Sequence, residues 1–471
     1  MIKGAGPEQA QQRGFALRQE QRLIEADRVF TDAVAHPPVY APANPALLFG
    51  HAQTRYELGL PAATLFATAQ AAMPANLDIT RNHAAAMAAE GDRTGAEQLL
   101  RRTLKAQPGW LDGHKGLATL RWTSGDVVHF ADSYGEACRE QPGNAALWLA
   151  WFAAVAQTKD WPTSLAILAE AERHIGTTAV LLSARLFVAV EGGGDADALL
   201  AATAHIQGDT IKLCRIRHAL RQGRFEQAQA LLLPLVKTPS AGLFWPYLSL
   251  VWRLLGDDRH VWLDRPDAFI QQGQIGLTAA ELAELADVLR GLHTMEKPYV
   301  EQTVRGGTQT DRSVLLRHEP ILQRTREAVM AVVRGHIATL PPTEEGHPFL
   351  GTPLDARRGH LLLGGSWSVR LGAGGHNVPH THPMGWMSAS LYVAIPDAGP
   401  RGPAPAGHIS FGQPPAELGL TELGLELPAY RSIAPQPGLV VTFPSTLWHS
   451  VVPFSEGERL MIALDIRRPG S

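Results

Sequence analysis

The hydrophobic rhythm of the chain changes near residue 270. Before that point apolar positions recur at helical spacing in segments rich in alanine and leucine, among them Arg93–Leu104, Ala145–Thr158, Pro162–His174 and Arg224–Val236. Leu277–Leu292 also reads as a helix, with Thr278 as N-cap and Glu281 closing a capping box. Pro320–Leu340 reads as a long amphipathic helix, with Leu322, Ala328, Val329, Val332 and Val333 among its apolar positions. The polar, glycine-bearing stretch from Gln302 to Thr310 between them reads as a structured loop. After Pro341-Pro342 short β-type runs separated by Pro/Gly loops take over: His360–Leu371, Trp386–Ile395, Gly407–Gly412, Gly438–Phe443, His449–Val452 and Leu460–Ile466. Such runs predict a sandwich or barrel. Arg401–Gly407 and Pro414–Pro437 read as loops.

Two combs of turn residues organise the first half. Pro74, Pro108 and Pro142 are 34 residues apart, and so are Gly91, Gly125, Lys159 and Gly193. Gly223 and Gly256 recur 33 apart, while Pro42 and Gly59 lie two residues off the register. Glycine allows a tight turn between helices, and proline ends the second helix of a pair. A 34-residue period of this kind is the signature of tetratricopeptide helix pairs. No pair buries its apolar face alone, so about seven are expected to stack into a superhelix with a concave surface suited to a peptide or protein partner.

At 471 residues the chain exceeds a single core. The predicted boundaries are 1–268 for the repeats, 269–342 for a helical linker with support helices, and 343–471 for the β domain. A net charge of −3 argues against a nucleic-acid partner or an anionic membrane surface. The N-terminus lacks the apolar stretch of a signal peptide. The longest apolar run, Ala145–Ala156, is well short of the roughly 20 residues that span a bilayer. Two cysteines, Cys138 and Cys214, form no disulfide framework, which fits a reducing cytoplasm.

The chemistry is concentrated near the C-terminus. His380 and His382 occupy i and i+2 of a strand-like segment, so their imidazoles share one face. A barrel that returns His449 to the same place would form a facial three-point claw, leaving about half of an octahedral metal's positions open. Asn377 and Ser450 are nearby polar candidates to anchor the rings, and His376 and Asp397 are alternative ligands. Trp367, Trp386 and Trp448 flank these histidines in sequence.

The order Ser366-Trp-Ser-Val-Arg370, His380-Thr-His382-Pro-x-Gly-Trp386-x-Ser388, Tyr392, then Gly438 to Phe443-Pro-Ser445, His449, Pro453 and Glu458-Arg459 resembles the 2-oxoglutarate/Fe(II) oxygenases with N-terminal tetratricopeptide repeats. Arg305-Gly-Gly-Thr-Gln-Thr310 is similar to their upstream region. The resemblance implies an N-terminal all-α superhelix followed by a double-stranded β-helix, or jelly roll, with flanking helices. It implies Fe(II) and 2-oxoglutarate as cofactors, O2 as co-substrate, and ascorbate as the reductant in vitro. His380 and His449 match the two histidines of the 2-His-1-carboxylate triad. His382 stands where most relatives carry Asp or Glu.

Arg459 matches the basic residue that anchors the distal carboxylate of 2-oxoglutarate, a task suited to a fixed planar cation. Tyr392, Arg370 and Ser388 are further co-substrate candidates, with Ser390 and Ser445 behind them. No catalytic residue beyond these ligands is expected. The implied activity is a dioxygenase that hydroxylates a C–H bond of a peptide, a protein or a small molecule, with the repeats helping to recruit it. Two other readings stand beside this one. The chain could be a repeat scaffold with a degenerate barrel, or a cupin-like three-histidine metalloenzyme that makes no use of 2-oxoglutarate.

Overall fold

The computed structural model describes residues 7–35 and 44–470; Pro42 and the first six residues lie outside them. The chain forms two compact units, one from residues 1–154 with 312–324, the other from 155–311 with 325–471.

The first unit is built of helices paired with their sequence neighbours, among them Leu77–Ala89, Arg93–Ala106, Leu111–Thr123 and Asp132–Glu140. The glycine comb has a conformational cause. Gly59, Gly91 and Gly125 have φ of +74°, +97° and +89° at the inter-helix turns, a region that costs L-residues about 1–2 kcal/mol. Lys159, the one comb position without glycine, takes the same region at φ +62° in the second unit. The prolines behave as expected: Pro74, Pro108 and Pro142 each follow a helix end by two residues. Asn76 and Asp92 accept backbone N–H bonds from the first turns of the helices they cap.

The second unit joins later helix pairs to the β domain. Its nine strands are β1 Gln271–Gln274, β2 Val304–Gln309, β3 Leu363–His380, β4 Met387–Ala394, β5 Ile409–Phe411, β6 Arg431–Ile433, β7 Leu439–Pro444, β8 His449–Val451 and β9 Arg459–Ile466. They form an antiparallel sheet in the order β1-β7-β4-β9-β3-β8-β5-β6, with β2 also on β3. β3 serves both parts of the sheet. Its first half pairs with β9, and after Gly372–Gly375 it pairs with β8. Inward residues from opposite parts of the sheet, including Val369, Tyr392, Phe411, Val441, Phe443 and Met461, pack into one core. The expected helical repeats followed by a jelly-roll sheet are therefore present.

Two expectations are corrected. The 302–310 stretch carries β2, and Gln271–Gln274 supplies the edge strand β1 from a region read as helical support. Neither shows apolar alternation, because backbone pairing and close approach define them. A side chain at Gly307 would place its Cβ 2.2 Å from the carbonyl oxygen of Arg370. Glycine is thus what lets β2 lie against β3. The capping box at Thr278 and Glu281 is present.

The loop preceding β6 is held by the helices of its own unit. Leu418, Leu420 and Trp448 are buried with Ile216, Leu220 and Leu248. The Trp448 indole N–H donates to Pro246 O at 3.0 Å, Arg221 Nε donates to Glu417 O at 2.7 Å, and Arg253 Nη2 donates to Pro428 O at 2.7 Å. This face of the later repeats is filled by the chain's own segment. Burying each large apolar side chain there contributes about 1.5–3 kcal/mol.

Two histidines of this unit, His336 and His347, are buried and a third, His293, is half-buried, and desolvation disfavours the charged form of each. His347 accepts the N–H groups of Phe349 and Leu350 at Nδ1 and donates from Nε2 to Trp262 O, so protonating Nδ1 breaks two bonds. His293 lies between the hydroxyls of Thr308 and Ser368, and His336 meets Thr442. Burial pushes all three imidazoles down to about 4. The folded values lie below the unfolded value of about 6.5. Their contribution to stability is therefore complete above that value and is lost as pH falls toward about 4. Urea unfolding at pH 7.5 and pH 5 should show a drop of order 1–3 kcal/mol per histidine. Equal stability at the two values contradicts the neutral assignment.

Candidate metal centre

β3 ends on His380, and β8 begins on His449 directly across the ladder. Two residues beyond β3, the backbone N–H of His382 donates to Ser445 O at 2.8 Å, which ties the third histidine to the end of β7. Ring centroids are 4.2 Å apart for His380–His449, 5.1 Å for His380–His382 and 5.0 Å for His382–His449. One nitrogen from each ring lies within 4.8 Å of the other two, the single such His/Cys/Asp/Glu group among the described residues.

Each ring has its Nδ1 engaged. His380 Nδ1 donates to Val378 O at 2.8 Å, and His449 Nδ1 to Leu447 O at 3.0 Å. His382 Nδ1 donates to Asp465 Oδ1 at 2.7 Å. These bonds set the tautomer and leave three Nε2 lone pairs, the arrangement a metal requires. His380 keeps a partly open edge toward the cavity, yet desolvation pushes its imidazole down to about 3, with neighbouring His382 adding to the effect. Burial, then His380 and His382, hold His449 well below the usual histidine range.

These rings line a cavity of about 390 Å³. The alternation of β9 sends Arg459, Met461, Ala463 and Asp465 into it. Arg459 is 1% exposed. Its Nε donates to Gly407 O at 3.3 Å, its Nη1 faces Met461 Sδ, and its guanidinium lies 4.9 Å from the Tyr392 ring centroid. Nη2 has no hydrogen-bond partner of acceptable geometry, and neither does the buried Tyr392 hydroxyl. No carboxylate pairs with this guanidinium among the described residues. Burial lowers the Arg459 pKa and raises that of Tyr392. A buried charge without a partner costs several kcal/mol, so an anionic ligand is the missing complement. Three converging imidazoles and one buried guanidinium without a carboxylate partner, in a single cavity, fit a divalent metal and a carboxylate-bearing co-substrate.

Other candidate residues take different places. Arg370 lies on the opposite face of β3 from Trp367 and Val369, which line the cavity. Its Nε donates to Glu458 at 2.6 Å, a carboxylate shared with Arg290. The expectation that it meets the co-substrate is corrected by strand parity. Tyr392 stacks beneath Arg459 without lining the cavity. Ser388 lies at the His382 end, where its hydroxyl donates to Asp465 Oδ1 at 2.6 Å and meets Ser445 Oγ at 2.8 Å. Asn377, Ser390, Ser450 and Trp367 line the cavity. Asn377 donates to Thr303 Oγ1 instead of anchoring a histidine. His376 is half-buried and Asp397 exposed, and neither belongs to the metal group. Trp386 donates to Phe349 O, and Trp448 packs on the helices, both off the cavity. Asp465 was not among the expected residues; its signal is its position six residues after Arg459 on one strand face.

Residues 365–465 match the family described as "Putative 2OG-Fe(II) oxygenase". No curated protein sequence matches the chain. Similar solved structures include a Pseudomonas putida prolyl-4-hydroxylase, 20% identical over 45% of this chain and 97% of that one, with a TM-score of 0.28. A tetratricopeptide repeat protein from Parabacteroides merdae is 15% identical over 53% of this chain and 99% of that one, with a TM-score of 0.33. HygX from Streptomyces hygroscopicus, with nickel and 2-oxoglutarate bound, is 14% identical over 44% and 85% of the two chains, with a TM-score of 0.31. Residues 365–465, which carry the three histidines and Arg459, are thus similar to an oxygenase family whose description names Fe(II) and 2-oxoglutarate, and the converging imidazoles fit such a metal.

Proposed function

We propose that the protein is a dioxygenase that hydroxylates a C–H bond, with the balance R–H + O2 + 2-oxoglutarate → R–OH + succinate + CO2. The observation that carries this reading is the buried Arg459 guanidinium, without a carboxylate partner among the described residues, in the same cavity as three converging imidazoles. Bound Fe(II) supplies the redox chemistry that splits O2 between succinate and product. His380, His382 and His449 hold the metal, and Arg459 takes the distal carboxylate of 2-oxoglutarate. Trp367, Val369 and Phe443 give the cavity apolar walls that limit water around the reacting atoms.

The cavity wall from Glu301 to Thr303, with Asn377, belongs to the substrate. The buried Gln302 Oε1 has no partner. Ionised 2-oxoglutarate offers acceptors only, so this oxygen suits an N–H or O–H of the hydroxylated molecule. That supports a peptide or another donor-bearing substrate. The later helices already hold the 417–428 segment, so the recruiting face is assigned to the helices of the first unit.

Purified protein supplied with Fe(II), ascorbate and 2-oxoglutarate under air should release succinate even without the hydroxylated substrate. A metal-loaded protein that neither binds nor consumes 2-oxoglutarate sinks this reading and leaves a three-histidine metal site of another chemistry.

A further inference from the structure

We infer that Asp465 is a positioning residue that gives the three-histidine site, from behind His382, the negative charge that a directly coordinating carboxylate would give. The inference rests on the oxygenase reading and deepens it.

The three rings are not anchored alike. His380 and His449 each donate to the carbonyl two residues earlier, a neutral acceptor set by the local chain. His382 alone donates to a side-chain carboxylate, at 2.7 Å. Hydrogen bonding to a carboxylate raises the electron-donating power of the opposite ring nitrogen. A divalent metal with three imidazoles and one such carboxylate has the same formal charge as one with two imidazoles and a coordinating carboxylate. The negative charge is displaced by one imidazole.

The fold holds Asp465 for this contact. Its backbone lies opposite Ser388 across the β4–β9 ladder, and the Ser388 hydroxyl donates to the same Oδ1 at 2.6 Å. Ser445 supports Ser388 at 2.8 Å, and its carbonyl accepts the His382 N–H. The turn after His382 packs on this group through Gly385, where a Cβ would fall 2.5 Å from Ser445 Oγ and 3.3 Å from Asp465 Cγ. The side chains of His382 and Asp465 are 15% and 13% exposed, so solvent screens the pair weakly.

Anaerobic Co(II) titration, together with the Fe(III)/Fe(II) midpoint potential, tests the assignment on the full chain. Asp465→Asn keeps size and an acceptor oxygen but removes the charge. It should weaken Co(II) binding about 10–100-fold and raise the potential, with Asp465→Glu recovering part of both. His382→Asp should bind poorly beside Asp465 and regain affinity in the His382→Asp/Asp465→Asn pair. Should Asp465→Asn fail to fold, Asp465→Ser removes the same carboxylate and should shift both quantities the same way. Parental affinity and potential in a folded Asp465→Asn, or in Asp465→Ser where that variant stands in, overturn the inference alone. A parent protein that binds no metal overturns the oxygenase reading as well.

Discussion

Replacing Arg459 with methionine should raise the 2-oxoglutarate concentration needed for half-saturation by roughly 30- to 1000-fold, with metal affinity little changed. The range corresponds to about 2–4 kcal/mol for a charge-assisted contact in a dry site. Arg459 is the single Lys or Arg among the described residues lining the cavity, so no neighbour can replace it. Methionine fills much of the space, and Met461 already touches the guanidinium. The variant also removes a buried charge without a counter-ion, so the metal-free protein should be as stable as the parent or more so. Loss of co-substrate binding with retained stability is the pattern of a functional residue. Arg459→Lys should fall between, because it keeps the charge and loses the planar fork. Unchanged half-saturation in Arg459→Met removes the proposed anchor.

His449→Ala should lower metal affinity by roughly 100-fold or more. Structural zinc sites distribute about 10–16 kcal/mol over four ligands, or around 3 kcal/mol each. His449 is opposite His380 in the ladder and anchored by Leu447 O, so its loss removes one point of the claw and leaves the other two in place. His380→Ala should match it. His376→Ala should behave as the parent, because that ring lies outside the three-histidine group and is bonded to Gly374 O. Metal analysis of the three variants after anaerobic loading checks the ranking. Equal loss in His376→Ala and His449→Ala would mean a general effect on folding.

The legible parts of this molecule follow local rules. The comb at Gly91, Gly125, Lys159 and Gly193 reports a left-handed turn that recurs once per helix pair. The histidine pair shares one side because His380 ends a strand and the tie to Ser445 carries His382 round to it. Other features depend on parity and pairing. Arg370 stands among residues that alternate in and out, and the odd-numbered Trp367 and Val369 take the cavity side. The same parity applied to β9, starting from Arg459, reaches Asp465. β1 carries three glutamines and no apolar alternation, so only its ladder with β7 identifies it as a strand. The capture of the loop near Leu418 by the later helices is a long-range contact that no local pattern announces.

The decisive measurement is anaerobic calorimetric titration of 2-oxoglutarate into the parent and Arg459→Met proteins, each with and without one equivalent of Fe(II). Saturable binding to the iron-loaded parent, with loss on removing either the iron or the guanidinium, is the predicted result. Parental affinity in both the metal-free protein and Arg459→Met would show that the imidazoles and the buried cation do not act on one ligand.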